Sequence, residues 1–168
     1  MGIRKIPYRR LRSIEQLDGS FPCCDGVILL DLDNTILDYA RGKGDIVAAA
    51  ATIRSLKSRF PACELLVTSN TRRLSPRISE SVTAAGAIGL IAHCQKPWVN
   101  RINSSLGEKH AIAVVGDQTM TDGILAWRMN VPFYKLDGIS RSEPLWPQLL
   151  RLVGSVAERF SIFKLEGN

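Results

Sequence analysis

A chain of 168 residues has the length of one globular domain. Its composition, 45% hydrophobic and 23% charged, is that of a folded soluble protein and argues against disorder. Twenty-two Lys and Arg against 16 Asp and Glu leave six surplus positive charges. Such an excess favours an anionic partner without choosing among phosphates, nucleic acid and an acidic membrane surface.

Residues 1–25 read as a basic arm, with Arg4, Lys5, Arg9, Arg10 and Arg12 and a short helix over Ser13–Leu17. No apolar run follows these charges, so the arm is no secretory signal. Ile6 stands where myristoylation would need Ser or Thr. The folded domain is expected over residues 26–168. Its first strand is Val27–Leu30, followed by an amphipathic helix over Asp45–Phe60 that Pro61 ends. Leu65–Val67 is the second strand. Ser75-Pro76 then opens a helix reaching Gly86. Gly89–Ala92 is a third strand, Pro97 to about Gly107 a helix, and Ile112–Val115 a fourth strand. Thr119–Asn130 reads as a helix, Phe133–Lys135 as a last strand and Leu149–Phe163 as a final helix. Short continuous apolar strands alternating with helices predict an α/β, three-layer α/β/α, Rossmann-like fold with a mostly parallel sheet.

Cys23, Cys24, Cys63 and Cys94 form no C-x-x-C pair and are expected to be small buried hydrophobes in a reducing cytoplasm. With two histidines in the chain, His93-Cys94 is too little for a metal cage. No apolar stretch approaches the roughly 20 residues of a membrane-spanning helix.

Open α/β sheets place their sites at the carboxyl ends of the strands. Here the four strands are followed by Asp31-Leu32-Asp33-Asn34-Thr35, by Thr68-Ser69-Asn70, by Gln95-Lys96-Pro97 and by Gly116-Asp117…Asp122. Asp31 and Asp33 are two apart and, if extended, leave the same side of the chain. Two carboxylates that close repel each other, which suits a cation between them, though an Asx-turn ending the strand reads equally well. Hard oxygen donors of this kind suit Mg²⁺. Asp122 alone could serve only the dipole of the helix it opens, Ser69-Asn70 an ordinary turn, and Lys96 the solvent. Their joint occurrence, in order, carries the site.

These four segments resemble the four motifs of the haloacid dehalogenase (HAD) superfamily of phosphatases. The likeness is greatest to its YqeG-like, subfamily IIIA group, similar to phosphatidylglycerophosphate phosphatases, and it covers about Pro7 to Tyr134. The resemblance implies a Mg²⁺-dependent phosphatase that hydrolyses a phosphate monoester. Asp31 would be the nucleophile, giving an aspartyl-phosphate, and Asp33 the general acid and base. It also implies metal ligation by Asp31, the Asp33 carbonyl and Asp117, with Asp122 behind. Ser69, Asn70 and Lys96 would bind the phosphoryl group. Thr71, Thr119-Met120 and Cys94-Gln95 depart from the usual pattern without removing a catalytic group.

The 35 residues between Asp33 and Ser69, and the 26 between Ser69 and Lys96, leave no room for a cap domain. An open crevice suits a large or membrane-presented substrate such as phosphatidylglycerophosphate, and the basic arm suits peripheral contact with an anionic bilayer. The alternatives are a phosphatase of small molecules or nucleotides, and a non-catalytic phosphate-binding or scaffold protein. Nucleic acid is disfavoured, because basic and aromatic residues are not interleaved.

Overall fold

The computed structural model describes residues 4–17, 26–37, 46–72, 74–137 and 162–165. Seven strands, all parallel, form one sheet: β1 (Ile6–Leu11), β2 (Val27–Asp31), β3 (Glu64–Thr68), β4 (Gly89–Ile91), β5 (Ala111–Gly116), β6 (Phe133–Leu136) and β7 (Phe163–Leu165). Their spatial order is β4-β3-β2-β5-β6-β1-β7. Four helices are described between them: α1 (Ile46–Arg59), α2 (Pro76–Ala84), α3 (Asn100–Leu106) and α4 (Ile124–Met129).

The alternation of side chains along each strand divides the core into two layers. On one face Ile28, Leu30, Leu65, Val67, Ala113 and Val115 pack with Ala50, Ile53 and Leu56 of α1 and Val82 of α2. On the other Val27, Leu29, Leu66 and Val114 pack with Ile102 and Leu106 of α3 and Leu125 and Ala126 of α4. The fold is therefore the three-layer α/β/α sandwich expected, and no cap interrupts it among the described residues. Every residue of β2 and of β5 is buried, as central strands covered on both faces require.

The predicted helices over Asp45–Phe60, Ser75–Gly86 and Pro97–Gly107, and the inner strands, hold to within a few residues. Gly86 and Gly107, the expected helix stops, take φ of 109° and 61°, the conformation glycine adopts most cheaply. The predicted helix over Thr119–Asn130 divides into a π-helical turn, Thr119–Gly123, and α4.

The amino-terminal segment departs from expectation. Ile6–Leu11 is no arm but a strand lying between β6 and β7. Ile6, Tyr8 and Leu11 are buried, while Arg10 is exposed and pairs with Asp137 at 3.0 Å. The arginines hide a strand that packs Ile6 and Tyr8 on one face of the sheet and Leu11 on the other. A 3-10 turn over Ile14–Gln16 stands within the expected short helix. Residues 149–161 of the expected last helix lie outside the described residues, and its final residue, Phe163, belongs to β7. Cys63 and Cys94 are buried free thiols, while Cys23 and Cys24 lie outside the described residues. No described helix is long and apolar enough to cross a membrane.

Candidate functional site

The chain runs from β2 outward through β3 to β4, then returns to β5 on the other side of β2. Beyond the carboxyl ends of β2 and β5 the connections diverge, the place where open α/β sheets form their ligand crevice. Register brings its walls level: Asp31 stands opposite Thr68, Leu30 opposite Val115, and Gly116 opposite Lys135.

Asp31 is the last residue of β2 and is 6% exposed. The chain turns at once after it. Leu37 donates its amide to the Leu32 carbonyl at 2.9 Å, Asn34 donates to the Leu37 carbonyl at 2.7 Å, and Asn34 takes φ of 56°. Asparagine tolerates that left-handed backbone better than most residues. Asp117 follows β5 directly. Asp122 sits in the π-helical turn, where Gly123 reaches back five residues to the Gln118 carbonyl at 3.3 Å. Such turns recur at functional sites. One carboxylate oxygen from each of Asp31, Asp117 and Asp122 can be chosen so that all lie within 4.8 Å of one another, and all three residues are buried.

Lys96 enters this cluster from the turn after β4. Its Nζ donates to Asp31 Oδ1, and to Asp122 Oδ1 at 2.6 Å. The other Asp122 oxygen accepts the Gln118 amide at 3.2 Å. Burial works to lower the Lys96 pKa, but the Asp122 and Asp31 carboxylates outweigh it and hold the ammonium above its ordinary value. Asp31 is displaced the other way for an acid. Burial pushes its carboxyl well above the usual range, Lys96 opposes this, and the neighbouring carboxylates of Asp122, Asp117 and Asp33 reinforce it.

Asp33 lies outside the cluster. Its Oδ2 accepts the Ser69 hydroxyl at 2.7 Å and the Thr71 hydroxyl at 3.0 Å, and Ser69 Oγ in turn accepts the Thr71 amide at 3.0 Å. Asn70 bonds not toward the carboxylates but to the main chain of Lys96. The four segments singled out in the sequence thus converge. Asp31, Lys96, Asp117 and Asp122 meet in the buried centre, while Asp33 pairs beside it with Ser69, which is also buried. His93-Cys94 joins no metal-ligand group among the described residues; Cys94 is buried, which raises its thiol pKa.

Two residues escaped the sequence reading. In the sequence Thr71 is only a departure from a pattern; its bond to Asp33 comes from a turn that sequence does not specify. Lys135 is 6% exposed on β6, level with Gly116. A lysine inside an apolar run, Phe133-Tyr134-Lys135-Leu136, was the available signal.

No family model and no curated protein matches the chain. Among solved structures, it is similar to a protein described as an NADPH:quinone reductase from Bacillus thuringiensis, at 11% identity and a TM-score of 0.43. That match covers 82% of this chain and 46% of the other. It is also similar to the quinone oxidoreductase of Escherichia coli complexed with NADPH, at 15% identity and a TM-score of 0.39, covering 86% of this chain and 38% of that one. The chain thus spans less than half the length of either.

These matches correct the functional expectation. Both are quinone oxidoreductases, against the expected Mg²⁺-dependent phosphatase that hydrolyses a phosphate monoester through an aspartyl-phosphate, and against its alternatives. At 11% and 15% identity they assign this chain neither NADPH nor a quinone. The turn after β2 reads Asp31-Leu32-Asp33-Asn34-Thr35. Dinucleotide-binding domains carry at that turn the glycines that admit a pyrophosphate.

Proposed function

We propose that the crevice is an enzyme centre that binds a divalent cation on Asp31, Asp117 and Asp122 and a phosphorylated ligand against Lys96. One observation carries this reading: three buried carboxylates converge at the ends of the two central strands, with an ammonium between two of them. Buried like charges so close are costly unless a cation joins them. An all-carboxylate set of hard oxygens fits Mg²⁺, which keeps waters and open positions for a phosphate oxygen. When bound, the cation supplies charge neutralisation and polarises a phosphoryl oxygen.

This chain's own residues do the rest. Lys96 brings a fixed positive charge whose distance from Asp31 and Asp122 is already set, so little reorganisation is needed when an anion arrives. Ser69, buried beside the cluster, holds Asp33 through its hydroxyl. Asp33, tethered there by Ser69 and Thr71, is a carboxyl able to accept or deliver a proton. The basic strand β1 is built into the sheet, so contact with a bilayer forms no part of the proposal.

Calorimetric titration of the full chain tests this directly. Mg²⁺ is expected to bind at one site and orthovanadate, a phosphoryl mimic, to bind only with Mg²⁺ present. Asp117→Asn should weaken Mg²⁺ binding about tenfold or more, as loss of one charged ligand implies. A panel of phosphorylated compounds then reads which of them competes with orthovanadate. Consumption of NADPH with a quinone, together with no Mg²⁺ binding, would overturn the proposal.

A further inference from the structure

The turn after β4 has the least regular backbone around the crevice. His93 and Gln95, neither of them glycine, hold φ of 49° and 60°. Residues so placed keep that conformation only where their surroundings over-determine it. The surroundings here include the turn after β3. Three main-chain bonds join the two turns: Ser69 N to Ile91 O at 2.9 Å, Cys94 N to Ser69 O at 2.9 Å, and His93 N to Thr71 O at 3.0 Å. All three stop short of Lys96.

The link to Lys96 is a side chain. Asn70 Oδ1 accepts the Lys96 amide at 2.7 Å, and Asn70 Nδ2 donates to the Lys96 carbonyl at 3.2 Å. Oδ1 also accepts the Cys94 thiol at 3.5 Å. A primary amide presents a donor and an acceptor side by side, and the main chain of one residue offers the complement. A lysine ammonium hangs on a flexible four-carbon stem, so its place depends on where that stem is rooted. Here the root is held from both sides.

We propose that Asn70 is a positioning residue whose side chain brackets the Lys96 main chain and so fixes the ammonium between Asp31 and Asp122. The clamp stands on these bonds alone; its value for a ligand rests on the reading of the crevice proposed above. The Asn70 side chain would then act through Lys96 and not by touching the phosphorylated ligand.

Reductive methylation of the intact chain, read peptide by peptide by mass spectrometry, tests the clamp without any ligand. Lys96 is 6% exposed and should react slowly in the wild type. Asn70 is itself exposed, so Asn70→Leu removes both bonds without opening a cavity. Lys96 should then react about tenfold faster, since each bond lost eases local opening. Lys57 and Lys109 should be unchanged. Asn70→Asp keeps the acceptor for the Lys96 amide and should fall between the two. Equal Lys96 rates in wild type and Asn70→Leu would overturn the clamp. Should Asn70→Leu fail to fold, Asn70→Asp decides, and a wild-type rate there overturns it as well.

Orthovanadate supplies the second arm. Asn70→Leu should weaken its binding about tenfold while Mg²⁺ affinity stays within about twofold. Parallel loss of both would mean general damage and overturn the positioning role. A wild-type chain that binds no vanadate would overturn the reading of the crevice, leaving methylation to decide the clamp.

Discussion

At Asp31 two demands meet that cannot both be met by the protein alone. Burial and three neighbouring carboxylates hold its proton on, while Lys96 draws it off. An acid whose pKa is raised by folding binds more protons folded than unfolded. Its contribution to stability is therefore lost as pH rises from about 4 through the raised value. Asp31→Asn carries no such proton. In chelator, the melting temperature of this variant relative to wild type should climb as pH rises from about 4. Added Mg²⁺ should shrink that difference, because the cation favours the ionised carboxylate. A difference flat across this range would show that Asp31 ionises as it does in an open chain.

At the scale of elements, the site depends on how β5 hands over to α4. A Cβ built on Gly116 would lie 2.4 Å from the Asp122 carboxyl carbon, closer than any real contact. The π-helical turn thus folds Asp122 back against the end of its own strand, and only glycine leaves the space. Gly116→Ala is expected to destabilise the fold by about 1–3 kcal/mol through overpacking. It should also weaken Mg²⁺ binding, because Asp122 must move. Thermal melting and Mg²⁺ titration check the two effects; a variant unchanged in both would mean that Asp122 can settle elsewhere. The sequence announced Asp117 and Asp122 as a pair at a strand end, but not the contact of Asp122 with Gly116. Likewise Asp31, Lys96 and Asp117 were legible as partners because strand ends of a parallel sheet converge. The bonds from Asn70 to Lys96 and from Thr71 to Asp33 were not. They arise from turn geometry, where a few dihedrals decide which way a short polar side chain faces.

For the whole molecule, the largest difference between expectation and structure is β1. Charge concealed it: Arg9 and Arg10 interrupt the apolar run, yet Ile6 and Tyr8 pack into the core on one face of the sheet and Leu11 on the other. These apolar residues are what the strand depends on. The ring of Tyr8 is 4% exposed and lies 5.8 Å from Phe133 and 5.1 Å from Phe163. Tyr8→Ala should cost about 3–5 kcal/mol, as truncation of a buried aromatic does. For a chain of this length that lowers the melting temperature by roughly 10 °C. A solvated arm would give no change. The inner strands β2, β3 and β5, by contrast, were readable because both of their faces are buried and no charge interrupts Val27–Leu30, Leu65–Val67 or Ile112–Val115.

The position of β1 also sets the order in which the chain can be completed. Tyr8 pairs with Phe133, and Ile6 with Phe163, so both partners of the first strand are made more than a hundred residues after it. Loop closure over such a separation is slow, and a growing chain cannot satisfy β1 early. The centre at β2 and β5 is assembled from residues synthesised between β1 and its partners. During synthesis the first strand must therefore wait, with Ile6, Tyr8 and Leu11 uncovered, until β6 and β7 have emerged.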